Sequence, residues 1–263
     1  MARPDSQDTV SSLTRGLSLL DLFSVRDNEL SIRELARRSG LPKSTAHRLV
    51  SDLVTWGALE RTPRGVRLGV HLFELGSLVP AQRRLREIAV PYAHNLNEVT
   101  QLTSNIAVRD GSDIMYVEKI TSRALTVPHS RVGGRLPMYC TALGKAILAY
   151  SEPEFIDRLL GSELRALSPR TITQPAVIRA ELAKIRVTKV AYDVEESQLG
   201  LFCVAAPIFG SLDEIVGAIS VTGATSLTQA QRFAPVVRTT AMALSRVLQS
   251  HGFLGAVSES RSA

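Results

Sequence analysis

Within "GLPKSTAHRLVSDL", residues 40–53, Ala46, Leu49, Val50 and Leu53 recur at three- and four-residue intervals, while Lys43, Ser44, Thr45, His47, Arg48 and Ser51 fill the opposite side. That spacing predicts an amphipathic helix, with Pro42 near its first turn and its end near Trp56, before Gly57. Upstream, "LTRGLSLLDLF" sets Leu13, Leu17, Leu20 and Phe23 on one side of a short helix. A turn at "DNE" follows. "LSIRELARRSG" then opens with Ser31 and Glu34 at capping-box spacing and closes on Gly40. Downstream, "ALERTPRGVRLG" holds two short β-prone stretches around Pro63, Arg64 and Gly65, which predicts a hairpin. Helix, helix, tight turn, helix and hairpin over residues 13–69 form the layout of a winged helix-turn-helix.

The pattern changes further along the chain. Residues 70–100 are helical in texture, with Pro80 and Pro91 as bends or new starts, so a linker helix is expected over 70–85 and a domain boundary within this stretch. Strands are expected in "LTSNIAVRDG", "DIMYVEKI", "LFCVAAPIF" and "EIVGAISVTG". Helices are expected near 141–160, 175–190 and 228–250, the last opening with Thr228 and Gln231 in a capping box. The fold class is therefore α+β, with a second domain over residues 86–252. The polar ends, 1–12 and 253–263, are expected to be disordered.

A length of 263 residues agrees with two domains, and 44% hydrophobic with 21% charged residues is ordinary for a globular protein. The net charge of +6 favours a polyanionic partner only weakly, but its placement is informative. Residues 31–70 carry eight cations (Arg33, Arg37, Arg38, Lys43, Arg48, Arg61, Arg64, Arg67) against three acids (Glu34, Asp52, Glu60), or 8 − 3 = +5. A local excess of this kind suits a surface that neutralises phosphates. Two cysteines, Cys140 and Cys203, exclude a disulfide framework and suit a reducing cytoplasm. No signal peptide and no bilayer-length apolar run is present, so a soluble cytoplasmic protein is expected, with no membrane partner. Neither zinc-ligand spacing nor a Gly-rich phosphate loop occurs, and no metal or cofactor is expected.

A recognition helix needs short and long polar side chains near its N-terminus, some for phosphates and some for base edges. Lys43, Ser44, Thr45, His47, Arg48 and Ser51 supply such a set, and Arg64 and Arg67 on the hairpin are placed for the DNA backbone or an adjacent minor groove. A solvated polar face is the plain alternative. In the second domain, pairing "FCVAAPIFG" with "EIVGAISVT" about the turn "GSLD" makes opposed residues sum to about 423. Cys203 then faces Ser220, and Thr222 shares their side of the sheet. A face of such small residues either packs under a helix or leaves room for a ligand. Cys203 could also be a nucleophile with His129 or His94 as base, although nothing nearby suggests a lowered thiol pKa. In "YDVEESQLGLFC", a surface loop accounts for Glu195 and Glu196, while Asp193 borders an apolar run and could turn inward.

From about Leu13 to Leu248 the sequence resembles the IclR family of bacterial transcription regulators. The resemblance is carried by "LSIRELARRSGLPKSTAHRLVSDL", "GGRLPMYCTALGKAILAY", "SPRTIT", "YDVEESQLGLFCVAAPIF" and "AISVTG". It implies an N-terminal winged helix-turn-helix, a linker helix used in dimerisation, and a C-terminal GAF-like α/β effector-binding domain. It also implies binding of near-palindromic double-stranded DNA operators as a homodimer or dimer of dimers, under control of a small organic acid effector. Matched position by position, the family's ligand pocket corresponds to the backbone N–H groups around Ala142 and Leu143 and to the side chains of Asp193, Cys203, Ser220 and Thr222. Thr222 stands where serine is frequent, and Tyr139 with Cys140 replaces a common His-Ala pair. N–H groups at a helix start favour a carboxylate, whereas an ionised Asp193 would repel a second anion. The ligand must therefore bring a donor, as a hydroxy-acid, hydrated keto-acid or phenolic acid does, or Asp193 must take up a proton. The expected function is an effector-controlled transcriptional regulator and not an enzyme. The alternatives are a cysteine-dependent enzyme with a basic appendage, or an effector-free DNA-binding protein.

Overall fold

Ser11 accepts the N–H of Thr14 and so starts the first helix, α1 (Ser12–Ser18). In the computed structural model, which describes residues 11–122 and 130–254, α1 stops short of the predicted helix and a 3-10 turn follows at Leu20–Leu22. The break rotates the later residues, so Leu13 and Leu17 are exposed and the buried contacts come from Gly16 and Leu19. In α2 (Ile32–Ser39), Ser31 accepts the N–H of Glu34, and Gly40 ends the helix at φ +71°. Only half of the capping box forms. The Glu34 carboxylate turns instead to Arg37 and Arg38, both at 2.6 Å.

Helix α3 (Lys43–Trp56) is followed by the antiparallel pair β1 (Leu59–Thr62) and β2 (Gly65–Leu68). Leu30 bridges Val66 through reciprocal N–H···O bonds of 2.9 Å, tying the chain before α2 to the hairpin. Leu19, Leu30, Leu35, Leu49, Val50, Leu59 and Val66 form the core of this winged helix-turn-helix. In place of one linker helix over 70–85 there are two helices, α4 (Val70–Ser77) and α5 (Pro80–Thr100). Pro80 lacks the N–H that would continue α4, and α5 then runs through Pro91. The chain divides here into two compact units, residues 1–80 and 81–263.

The second unit is built on strands β3 (Thr103–Asp110), β4 (Asp113–Ile120), β5 (Arg135–Pro137), β6 (Ala191–Val194), β7 (Phe202–Phe209) and β8 (Ile215–Ala224). They form one antiparallel sheet in the order β5-β4-β3-β8-β7-β6. The two-residue side-chain period sends Ala107, Cys203, Ala205 and Ala218 to one face, under α6 (Ala142–Leu148), α7 (Pro153–Gly161) and α8 (Pro175–Thr188). It sends Ile106, Val204, Ala206, Ile219 and Val221 to the other face, under α5 and α9 (Leu227–Ser250).

Four expectations are corrected in this unit. The helix expected over 141–160 is split into α6 and α7, because Pro153 starts a new helix after the Ser151–Glu152 break. Helix α9 is capped two residues earlier than Thr228. Ser226 accepts the N–H of Gln229, whose side chain accepts the N–H of Thr225 at 2.7 Å. Phe253, placed in the expected disordered tail, is buried, and its carbonyl accepts both the N–H and the hydroxyl of Ser211 at 2.9 Å. Of the ends expected to be disordered, residues 1–10 and 255–263 lie outside the described residues.

The β7–β8 register also differs. Cys203 opposes Thr222, Ala205 opposes Ser220 and Pro207 opposes Ala218. The hairpin turn holds Gly210 to Glu214, one residue more than "GSLD", and an irregularity between Ile208 and Phe209 adds another step. A shift of two preserves the side-chain period, so the predicted face is unchanged. Gly144 is needed where α6 meets the preceding turn: a Cβ there would lie 2.3 Å from the Met138 carbonyl oxygen and 2.4 Å from its Cα. Gly144→Ala is expected to lower stability by about 1–3 kcal/mol, read as a reduced urea midpoint. Gly76→Ala, in α4 with no atom near the new methyl group, should not lower it.

Candidate functional site

The N-terminal unit presents α3 with Ala46, Leu49 and Val50 buried and Lys43, Ser44, His47 and Arg48 exposed. Thr45 and Ser51 are half-buried at the border of the two faces. The basic excess is partly spent within the fold. Arg37 and Arg38 hold Glu34, pulling its carboxyl down to a pKa of about 2, and Arg38 also reaches Asp27. Across the hairpin Arg67 donates twice to Glu60, at 2.9 and 3.0 Å. Arg48 stands 3.7 Å from Asp52. Lys43 and Arg64 have no acidic partner among the described residues. Arg64 is carried at the exposed hairpin tip, where Glu29 accepts its backbone N–H and the Thr62 hydroxyl.

In the C-terminal unit, Ala142, Leu143, Asp193, Cys203, Ser220 and Thr222 all line one cavity. Three elements bring them together: the start of α6, the end of β6 and the facing pair β7–β8. Thr141 caps α6 by accepting the N–H of Gly144, which leaves the first N–H groups, those of Ala142 and Leu143, without helical acceptors. Asn105 on β3 pairs with Ser220 and donates from its side chain to the Thr222 hydroxyl at 3.1 Å. Tyr116, Leu136, Ser197, Gln198 and Leu201 complete the wall; the sequence pattern did not single them out. The space left open is small, about 20 Å³, room for one water molecule. Among the described residues, two buried polar atoms of the wall, Ser130 Oγ and Gln198 Oε1, have no hydrogen-bond partner, nor does Asn105 Oδ1 beside it.

Asp193 turns inward and is 1% exposed. Burial pushes its carboxyl pKa up, against hydrogen bonds from the Ser197 hydroxyl and from the N–H groups of Glu196 and Ser197. Glu196, expected on a surface loop, is also buried. Its carboxylate meets the ammonium of Lys145 at 2.5 Å, and Glu181 on α8 meets the same ammonium at 2.8 Å. Burial disfavours the charge on Lys145, but the two carboxylates outweigh it and hold the lysine protonated. The "SPRTIT" motif anchors the same loop. The Ser168 and Thr171 hydroxyls donate to the carbonyls of Glu195 and Glu196, each at 2.6 Å. Tyr139 lies outside the cavity wall and donates to the carbonyl of Arg165 at 2.5 Å, so its departure from the family pattern falls on the cavity's support.

Neither cysteine has the environment of a nucleophile. Burial pushes the Cys203 thiol well above its ordinary pKa, Asp193 adding to the effect, and pushes Cys140 up to about 12. His94 is exposed on α5, across the sheet from Cys203, and His129 lies outside the described residues. Among the described residues no group of three or more His, Cys, Asp or Glu side chains could hold a metal ion, and no helix is long and apolar enough to cross a membrane.

Residues 12–63 match the IclR helix-turn-helix domain, and residues 79–246 match the bacterial transcriptional regulator IclR C-terminal domain. The chain is 31% identical over 245 residues to the HTH-type transcriptional regulator XynR of Escherichia coli K12, covering 91% of this chain and 97% of that one. It is 35% identical over 219 residues to the transcriptional repressor IclR of the same organism, covering 81% and 80%. Among solved structures, an IclR homolog from Microbacterium hydrocarbonoxydans complexed with 4-hydroxybenzoate superposes with a TM-score of 0.84 at 28% identity, covering 91% of this chain and all of that one. The winged helix-turn-helix, the six-stranded antiparallel sheet and these matches lead to one assignment: the chain belongs to the IclR family of DNA-binding transcriptional regulators, which are not enzymes.

Proposed function

We propose that a small organic acid, bound in the cavity between α6, β6 and the β7–β8 pair, controls the DNA binding of this regulator. The carrying observation is the convergence of Ala142, Leu143, Asp193, Cys203, Ser220 and Thr222 on one cavity. The ligand's carboxylate would take the N–H groups of Ala142 and Leu143, and its hydroxyl would answer the polar groups of Ser220, Thr222 and Asp193. Gln198 Oε1 and Asn105 Oδ1, both without a donor among the described residues, add reason for a ligand that carries one. A phenolic acid such as the 4-hydroxybenzoate bound by the Microbacterium homolog combines these features. A cavity of about 20 Å³ does not admit such a molecule as it stands, so binding must displace wall residues such as Gln198 and Leu201. That displacement is the structural change the effector would transmit.

On the DNA side, α3 would enter the major groove with Lys43, Ser44, Thr45, His47, Arg48 and Ser51 facing the duplex, and Arg64 and Arg67 would follow the backbone. Arg67 must exchange Glu60 for a phosphate to do so. The operator is read as near-palindromic, by a homodimer or a dimer of dimers. The exposed apolar side chains of α4, Val70, Phe73, Leu75 and the following Leu78, offer a surface for self-association. The effector then acts by favouring one spacing of the two recognition helices over another. These proposals place the protein in the cytoplasm, with DNA.

Three outcomes test this reading. Lys43→Ala and Arg64→Ala should each weaken binding to all DNA fragments and lower the slope of log affinity against log salt by about 1, measured by fluorescence anisotropy. In calorimetry with the organic acid that most raises the melting temperature, Ser220→Ala should bind about threefold to tenfold more weakly. Burial raises the Asp193 pKa and a ligand carboxylate nearby favours its neutral form further, so binding is expected to take up a proton and affinity to fall as pH rises through that pKa. Asp193→Asn should flatten this dependence. An unchanged slope in Asp193→Asn would place the proton elsewhere.

A further inference from the structure

A second concave site lies beneath α9, at the edge of the sheet where β6 stops. Ala191 pairs with Ala205, and β7 continues through Phe209 with no strand beyond it on that side among the described residues. The resulting cavity of about 150 Å³ is floored by Ala206, Pro207 and Phe209, with Met242 on its wall. Three cations border it: Lys189 after the end of α8, and Arg238 and Arg246 two turns apart on α9. None of the three has an acidic partner among the described residues, whereas six other arginines of this unit sit on carboxylates. The one acid at the rim, Asp213, accepts instead from the Gln249 side chain at 2.9 Å.

Backbone conformation marks the same place. Four non-glycine residues among those described have positive φ, and two of them, Lys189 at 57° and Asp213 at 56°, border this cavity. A left-handed residue at a helix end is ordinarily glycine. Holding Lys189 in that conformation sets its ammonium 5.7 Å from the centre of the Phe209 ring. Strain of this kind concentrates at functional sites.

From the unpaired cations, the apolar floor and the volume, we infer that this cleft is a second ligand site, specific for a single-ring organic anion. A volume of about 150 Å³ is enough for one aromatic ring. The ring would lie over Phe209 and Met242, and the carboxylate would be taken by Arg238 and Arg246, which offer planar paired donors. Its occupation would join the end of α8 to α9 through the anion, in a place separate from the cavity lined by Asp193 and Ser220.

The probe is benzoate, titrated calorimetrically into the full chain, with benzyl alcohol as its neutral counterpart. Arg238→Ala/Arg246→Ala should reduce benzoate affinity at least tenfold. Met242→Trp, which fills the cleft from an exposed position, should do the same, with circular dichroism unchanged in both variants. Benzyl alcohol should give no matching event. The inference is overturned if benzoate fails to bind at millimolar concentration, if its binding survives both substitutions, or if benzyl alcohol binds as well. Binding that survives both substitutions but is lost in Ser220→Phe would assign the anion to the other cavity alone.

Discussion

The ammonium of Lys145, 2% exposed and held between Glu196 and Glu181, is the contact on which the effector-domain cavity depends. It links three pieces by charge: α6, whose first turn forms one wall; the 195–198 loop, which forms another; and α8, packed behind them. Removing one partner of such a buried pair leaves an uncompensated charge, which costs far more than the intact pair contributes. The loop therefore cannot move as a free surface segment. Its backbone is held again by Ser168 and Thr171, and Asp193 collects three hydrogen bonds from its far end. A ligand that enters works against this bonded assembly, which makes the cavity a place where binding energy can become a change of shape.

The same economy of charge governs the DNA-binding unit. Of eight cations between residues 31 and 70, Arg37, Arg38 and Arg67 are held by carboxylates at short range and Arg48 more loosely. The basic count alone overstates what is free to meet phosphate. What the fold supplies is placement: α3 is pinned by Ala46, Leu49 and Val50, and the hairpin is tied to Leu30 and Glu29, so that Lys43 and Arg64 are carried on rigid elements.

Much of this was legible in the sequence, and where it failed the reason is local. The period of Ala46, Leu49 and Val50, with Pro42 before it and Gly57 after it, determines α3 and its limits. Alternation along "FCVAAPIF" assigns the correct face to Cys203, and survives a register error of two because the side-chain period is also two. Turn length is poorly encoded, since Glu214 reads as strand or turn with equal ease. Leu13 and Leu17 matched a helical stripe that a 3-10 turn at Leu20 cuts short. Glu196 looked like solvent-facing charge because its partner, Lys145, is 51 residues away, and no periodicity pairs them. Tyr116, Gln198 and Leu201 were missed for a similar reason, as single residues brought in by tertiary packing.

The central claim is that occupancy of the cavity beside Asp193 and Ser220 is coupled to operator binding. It is tested most directly by measuring operator affinity of the full chain with and without a saturating acid shown by calorimetry to need Ser220. The account predicts a change in DNA affinity of roughly 5- to 150-fold, in either direction, that disappears in Ser220→Ala at the same ligand concentration. An operator affinity that stays the same while the cavity is demonstrably filled would contradict it.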